Sequence, residues 1–471
     1  MQQDSSAFSL ADRLRTEVRA LRPGQRLPSS RSMVRRYRVS PVTVSRALAV
    51  LTAEGLVVTR PGSGAYVAER PAAAAEPGDH GWQAVALGDR AVDPSGLSWL
   101  LTPAPEGAIA LSGGYLHPTL QPLRALSLAA ARAARRPDAW EIPPLGGIPE
   151  LRAWYARTIG GAGGAGVGTV APSDVLISGG GEQALTTVLR AIAPPGSPIL
   201  VESPTYLGLL AVARAGGLHP VPVPADEHGL RPDLLSEAFA LTGARVLYFQ
   251  PAHQNPTGAT LAADRRAEIL AAARAAGAFV VEDDYARHLG FGPSAPAPLV
   301  CDDPDGRVVH IASLTKITAP SLRVAAVVAR GPVAERIRSA QLVSEFFPAR
   351  PLQETVLELV TSPGWPRHLR TVHAALRSRR DALCAALARD LPGLLHSRPD
   401  GGMHLWLRLP DGTDDEALAR EALLAGVLVA AGRPFFPAEP PGPFLRLSYG
   451  VAASEAELAE GVRRLASVLR S

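Results

Sequence analysis

The sequence predicts two architectures in tandem. A small unit of three helices and a β-hairpin precedes a large α/β domain, a largely parallel sheet with helices on both faces. Three observations carry this. Helical periodicity over residues 9–55 gives way to two short strands, residues 71–105 are rich in Ala, Pro and Gly with little periodicity, and short apolar strands alternate with helices from residue 171 onward. The chain has 471 residues, 46% of them hydrophobic, enough for more than one core. The expected division is residues 1–70, a linker over 71–105, and 106–471.

Residues 9–21, "SLADRLRTEVRAL", place Leu10, Leu14, Val18 and Leu21 on one helical face. "PSSRSMVRRY" is a short second helix. In "SPVTVSRALAVLTAEG", Ser40 is an N-cap, Pro41 takes the first helical position, Val44, Leu48 and Leu51 are the apolar face, and Gly55 stops the helix. "LVVTRPGSGAYVAE" then forms two strands around Pro61-Gly62-Ser63-Gly64. This is the element order of a winged helix-turn-helix.

Charge distribution agrees with a polyanion partner. Residues 1–70 hold twelve Arg against five Asp and Glu, a balance of +7, so the remainder of this +4 chain is −3. In a winged helix-turn-helix the N-terminal residues of the third helix face base edges, which selects Ser40, Thr43 and Arg46. The stretch "PGQRLPSSRSM…VSPVTVSRAL…EGLVVTRPGSGAYV" resembles the GntR family of bacterial regulators across residues 9–68. The resemblance implies contacts to double-stranded DNA from Arg31 and from the wing tip Gly62, Ser63 and Gly64. It departs at Pro41 and Ser45, where the family is usually basic.

The strands of the large domain are "DVLIS", "PILVE", "RVLYF", "AFVVE", "VVHIA" and "RVAAVVA". After them come "GGGEQAL", "SPTYLG", "QPAHQNPTG", "DDYARH" and "SLTKITAPSLR", polar text at strand ends, where open α/β sheets collect ligands. "GGAGGAGVG" at 160–168 reads as a flexible loop, because no strand directly precedes it. Cys301 and Cys384 are too few for a disulfide framework or zinc site and are expected to pack as small hydrophobes.

Lys316 is the single lysine among 48 Lys and Arg residues. A lysine amine forms a Schiff base with an aldehyde, and a guanidinium cannot replace it as a carbonyl nucleophile. "GGGEQAL", opening a helix at Gly181 and Glu182, offers backbone N–H groups to a phosphate, with Ser313 and Arg323 completing that site. Asp283 can pair with a protonated pyridine nitrogen, Tyr206 can stack on the ring, and Asn255 and Tyr285 can bond a phenolic oxygen. Taken singly, Asp283 or Asp284 also reads as a helix cap and Asn255-Pro256 as a turn. Together the residues describe a site for pyridoxal 5′-phosphate (PLP).

Residues 106–471 resemble the class I aminotransferases of PLP fold type I through "LGGIPELRAW", "SGGGEQAL", "QNPTG", "EDDY", "SLTK", "PSLR" and "FLRLSYG". The likeness implies a mixed, mostly parallel sheet with a small C-terminal α+β subdomain, and that Arg446 grips a substrate or effector α-carboxylate, for which a bidentate arginine is suited. Three positions depart from the family. The tyrosine usual near Trp140 is missing. Glu182 replaces an uncharged residue, so its backbone is expected to serve the phosphate while its side chain turns away. Leu207 offers no second cation after Tyr206.

The two domains together resemble the MocR family of regulators. That resemblance implies a head-to-tail homodimer that holds PLP on Lys316, senses an amino compound or PLP itself, and alters its binding to a DNA operator. A working transaminase with a fused DNA-binding domain is the alternative. No N-terminal signal and no apolar run near the roughly 18 residues of a membrane span is visible, so a cytoplasmic protein is expected.

Overall fold

The computed structural model describes residues 2–60, 62–69, 79–87, 97, 101–161, 170–292 and 297–470. Its contacts divide into two units, Met1–Ala91 and Val92–Ser471. Pro61, most of the expected linker and most of the Gly-rich stretch at 160–168 lie outside the described residues. Within the linker segment, Gly81–Leu87 is a helix with no buried residue.

In the first unit, α1 (Gln2–Ala20), α2 (Ser30–Tyr37) and α3 (Pro41–Ala53) precede the antiparallel hairpin of β1 (Val57–Arg60) and β2 (Gly64–Val67). Helix α1 begins ahead of Ser9 because Ala7, 4% exposed, extends the apolar stripe of Leu10, Leu14 and Val18. These pack on Met33, Val44, Leu48, Leu51 and Val57 in one small core. Ser40 caps α3, its Oγ accepting from the Thr43 N–H at 3.1 Å. The hairpin needs glycine at position 64, where φ is +111° and a Cβ would lie 3.3 Å from the Arg26 guanidinium.

The second unit begins its strands with β3 (Ile109–Ala110). It continues through β4 (Val175–Ser178), β5 (Pro198–Ser203), β6 (His219–Asp226), β7 (Gly229–Leu230), β8 (Val246–Phe249), β9 (Phe279–Asp284), β10 (Val308–Ser313) and β11 (Ala325–Val328). Eight strands form one sheet in the order β4-β11-β10-β9-β8-β5-β6-β7. Pairing is parallel from β10 to β6, while β11 runs antiparallel to both neighbours. Both faces are covered. Val175, Ile177, Leu200, Leu247 and Phe249 enter one core, and their alternates Leu176, Ile199, Val201, Val246 and Tyr248 enter another. This explains why the strands read as unbroken apolar runs.

The remaining strands, β12 (His404–Arg408), β13 (Val427–Leu428), β14 (Ala430–Ala431) and β15 (Phe444–Ser448), belong to the C-terminal subdomain. There β12-β15-β14 is a three-stranded antiparallel sheet, and β13 pairs with β3. The topology puts the C-terminal ends of β4, β5, β8, β9 and β10 on one sheet edge, and the entry to antiparallel β11 on the same edge.

Candidate functional site

All ten residues expected to touch cofactor or carboxylate line one cavity of about 410 Å³ on that edge. Gly181 and Glu182 follow β4, Tyr206 follows β5, Asn255 follows β8, Asp283 is on β9 with Tyr285 just after it, and Ser313 ends β10 with Lys316 three residues on. Arg323 precedes β11, and Arg446 reaches in from β15.

Lys316 Nζ lies 4.0 Å from the centre of the Tyr115 ring and forms no ion pair or hydrogen bond among the described residues. Burial, with help from the Arg446 and Arg323 charges, lowers its pKa to about 8. The amine is therefore mostly protonated near pH 7, with a neutral fraction of roughly one tenth, far above that of an ordinary lysine. Gly114 lies against it, since a Cβ there would be 3.5 Å from Nζ.

Alternation along β9 separates the two adjacent aspartates. Asp284 turns inward to Arg287, while Asp283 lines the cavity. Asp283 Oδ2 accepts from Tyr248 Oη at 2.6 Å and Gln250 Nε2 at 2.8 Å, and Oδ1 has no partner among the described residues. Burial raises its pKa, and the two donors oppose that shift. Gln250 also accepts from Asn255 N at 2.9 Å, and its own N–H donates to Glu202 Oε1 at 2.9 Å. One glutamine thus holds Asp283 and Asn255 in register.

Arg446 donates to Asn255 Oδ1 at 2.9 Å and to the Ser112 carbonyl, while its Nε is buried without a partner. Burial lowers its pKa to about 10. A buried guanidinium with a spare donor and no carboxylate among the described residues fits an anionic ligand. Asn255 Oδ1 is therefore committed to Arg446, and only its amide N–H group is left for a ligand. The Tyr285 hydroxyl donates to His253 O at 2.6 Å, so its oxygen remains an acceptor.

At the other end of the cavity, Gly181 opens the helix Gly181–Ile192, and a Cβ on it would lie 3.7 Å from Ser313 Oγ. Gly180 has φ +106° and is so close to Arg323 that a Cβ would meet the guanidinium at 2.7 Å. Helix N–H groups, a hydroxyl and an arginine converge there, the donor set a phosphate requires. The Glu182 side chain does not turn away as expected. It lines the cavity and accepts from Tyr206 Oη at 3.0 Å, and burial raises its pKa. The hydrogen bond to the neighbouring phenol holds it inward.

Sequence reasoning missed Tyr115, Gln250 and Tyr248. It also missed His404, a cavity wall residue whose Nδ1 is buried without a partner and whose pKa burial lowers well below the usual value. Gln250 opens "QPAHQNPTG", so a polar residue closing an apolar strand was a usable signal; Tyr115 carries none. Trp140 is 75% exposed and lies outside the cavity.

In the first unit Arg31, Ser40 and Arg46 are exposed, as are Gly62, Ser63 and Gly64 of the wing. Ser63 Oγ lies 2.6 Å from Tyr66 Oη. Thr43 differs from expectation. It is 8% exposed, and its hydroxyl is 2.8 Å from Ser40 Oγ. The cap that starts α3 turns Thr43 inward, away from any base.

The class I and II aminotransferase family model matches residues 111–465, and that of the gntR family of bacterial regulatory proteins matches residues 8–67. The chain is a GntR–aminotransferase fusion of the MocR type. Among its relatives of near-full-length likeness is the HTH-type transcriptional regulator TauR of Rhodobacter capsulatus, 30% identical over 95% of this chain and 93% of that one. The 2-aminoadipate transaminase of Thermus thermophilus is 35% identical over 77% of this chain and 90% of its own length. The solved α-aminoadipate aminotransferase LysN of Thermus thermophilus, complexed with N-(5′-phosphopyridoxyl)-L-leucine, superposes with a TM-score of 0.75 at 34% identity, covering 83% of this chain and 98% of that one. The cofactor of this MocR-type protein is PLP. The partnerless amine of Lys316, the open Oδ1 of Asp283 and the donor set at Gly181, Ser313 and Arg323 fit it. No helix among the described residues is long and apolar enough to cross a membrane.

Proposed function

We propose that this MocR-type regulator holds PLP through Lys316 and couples an amino compound bound beside it to the affinity of its winged helix for a DNA operator. The observation that carries the reading is one cavity that holds two basic groups with no ion-pair partner among the described residues, the amine of Lys316 and the guanidinium of Arg446, whose Nε is also unpartnered. When bound, PLP supplies an aldehyde for amines and a ring that withdraws electrons. Ser313, Arg323 and the N–H groups at Gly181 hold its phosphate. Asp283, fixed by Tyr248 and Gln250, keeps the ring nitrogen protonated, and Tyr206 covers the ring. The amide of Asn255 donates to the phenolic oxygen, and Tyr285, its proton given to His253 O, is left to accept from a hydroxyl there. Arg446 takes the carboxylate of the amino compound and Lys316 holds or releases the proton nearby. The coupling to DNA requires different affinities for two states, about 1–3 kcal/mol apart.

A homodimer belongs to the same reading. Trp140 and Ile142 are 75% and 76% exposed on a loop tied down by the Asp138–Arg350 ion pair, and exposed Phe346 caps the C-terminal end of the helix Pro332–Glu345, four residues before that arginine. An apolar surface of this kind calls for a covering partner.

Titrating operator affinity with PLP alone and then with a panel of amino acids tests the proposal. A shift needing the amino compound supports it, a shift with PLP alone makes the cofactor itself the signal, and no shift in either titration rejects coupling. Transaminase turnover is the second reading, favoured because Lys316, Asp283 and Arg446 share one cavity. Conversion of the cofactor to pyridoxamine phosphate by an amino acid, and its reversal by a 2-oxo acid, would establish it.

A further inference from the structure

The first turn of α3 has few hydrogen-bonding groups left to offer to bases. Val42, Ser45, Arg46 and Ala49 form its exposed stripe, opposite the buried Val44, Ala47, Leu48 and Leu51. Val42 is 59% exposed at the second position of the helix. The polar groups of the same turn are occupied. Ser40 Oγ accepts from the Thr43 N–H, the two hydroxyls are 2.8 Å apart, Thr43 is buried, and Pro41 has no N–H to donate. The leading turn therefore presents an isopropyl group to its partner.

Exposed Arg31, Arg35 and Arg38, on α2 and at its C-terminal cap, supply positive charge close to α3, which suits phosphates on either side of a groove. In the major groove the apolar feature available to an aliphatic side chain is the thymine C5-methyl group, because the other base edges present donors and acceptors that an isopropyl would leave unpaired. We infer that Val42 reads the C5-methyl of a thymine, so that specificity at this operator position comes from apolar contact. This rests on the DNA-binding reading of the N-terminal unit.

The test uses the full-length, PLP-loaded protein and two randomised duplex pools, one synthesised with thymidine and one with deoxyuridine, which lacks the methyl group. The thymidine pool is expected to yield an enriched site with a fixed thymine. Replacing that thymine by deoxyuridine in the selected duplex is expected to weaken binding about fourfold, the scale of one buried methyl group. Val42→Ala is expected to bind both duplexes equally, at about the strength with which the wild type binds the deoxyuridine duplex. Restoring the methyl as 5-methylcytosine, paired with guanine, is expected to recover part of the wild-type affinity and none of the variant's. Equal wild-type affinity for thymidine and deoxyuridine at every position overturns the inference, as does a Val42→Ala variant that still discriminates. A pool that enriches no site overturns the DNA-binding reading itself, and the inference with it.

Discussion

The ligand cavity and the recognition helix use polar side chains in opposite ways. In the cavity, burial makes each polar group consequential. Asp283 is clamped by Tyr248 and Gln250, Gln250 also holds Asn255, and Asn255 holds Arg446, so that a chain of bonds runs from the sheet edge to the subdomain. On α3 the hydroxyls of Ser40 and Thr43 are consumed in starting the helix, and the exposed face is mostly small and uncharged. Residues of one chemical type thus serve a ligand in one domain and their own backbone in the other. What separates the two cases is whether solvent competes for the hydrogen bond.

The largest test of this contrast is at Lys316. Lys316→Ala and Lys316→Arg are both expected to abolish the visible absorbance of cofactor bound at this position, since arginine restores charge without a nucleophilic amine. Retained absorbance in Lys316→Arg would show that charge alone suffices and would break the argument from a single lysine.

Next in size is the buried clamp. Asp283→Ala leaves the Tyr248 hydroxyl and the Gln250 amide unpaired in a dry environment and is expected to lower stability by about 2–4 kcal/mol, read by urea denaturation. Asp283→Asn keeps an acceptor for both donors and is expected to lose less.

A smaller, graded effect concerns pH. With its folded pKa near 8, Lys316 is protonated below that value, so the rate at which apoprotein captures PLP is expected to rise with pH and to level off above about 8. The same shift acts on stability. Between pH 8 and the ordinary lysine value of 10.5 the unfolded chain binds the proton that the folded chain has released. This group's contribution therefore rises with pH across that window, and below it the penalty for burying the charge is felt in full. Lys316→Met is expected to flatten both profiles.

The smallest expected effect lies at the exposed end of α3. Ser40→Ala removes the cap and is expected to destabilise α3 by about 1 kcal/mol, seen as faster amide hydrogen exchange in its first turn. Thr43→Val keeps the buried volume and is expected to change operator affinity little, in contrast to Val42→Ala. A large affinity loss in Thr43→Val would mean that its hydroxyl leaves the cap to meet DNA.

Much of the fold is legible in the sequence because its signals are local. The α3 start at Ser40-Pro41, the apolar strands and the motifs behind them each lie within a few residues. Strand β6 was hidden for an equally physical reason. Its Pro220, Pro222 and Pro224 argue against a strand, yet the His219 N–H bonds to the carbonyl of Ser197, just ahead of β5, and β6 pairs in parallel along β5. The two-residue period then turns the proline nitrogens to the open side, where no ladder bond is lost. The Glu182 side chain was misjudged because its partner, Tyr206, is 24 residues away and comes from another strand end.

By itself the sequence determined the order of elements, the two domain types and the chemical necessity of Lys316, because periodicity, caps and the choice of amine over guanidinium are properties of single residues and near neighbours. Only the tertiary structure decided that Tyr248 and Gln250 clamp Asp283, that Tyr115 and His404 share its cavity, that Thr43 is spent on a cap, and that Val42 stands exposed in its place. Those outcomes depend on burial and on partners distant in the chain, and both arise only when the strands have paired and the helices have packed.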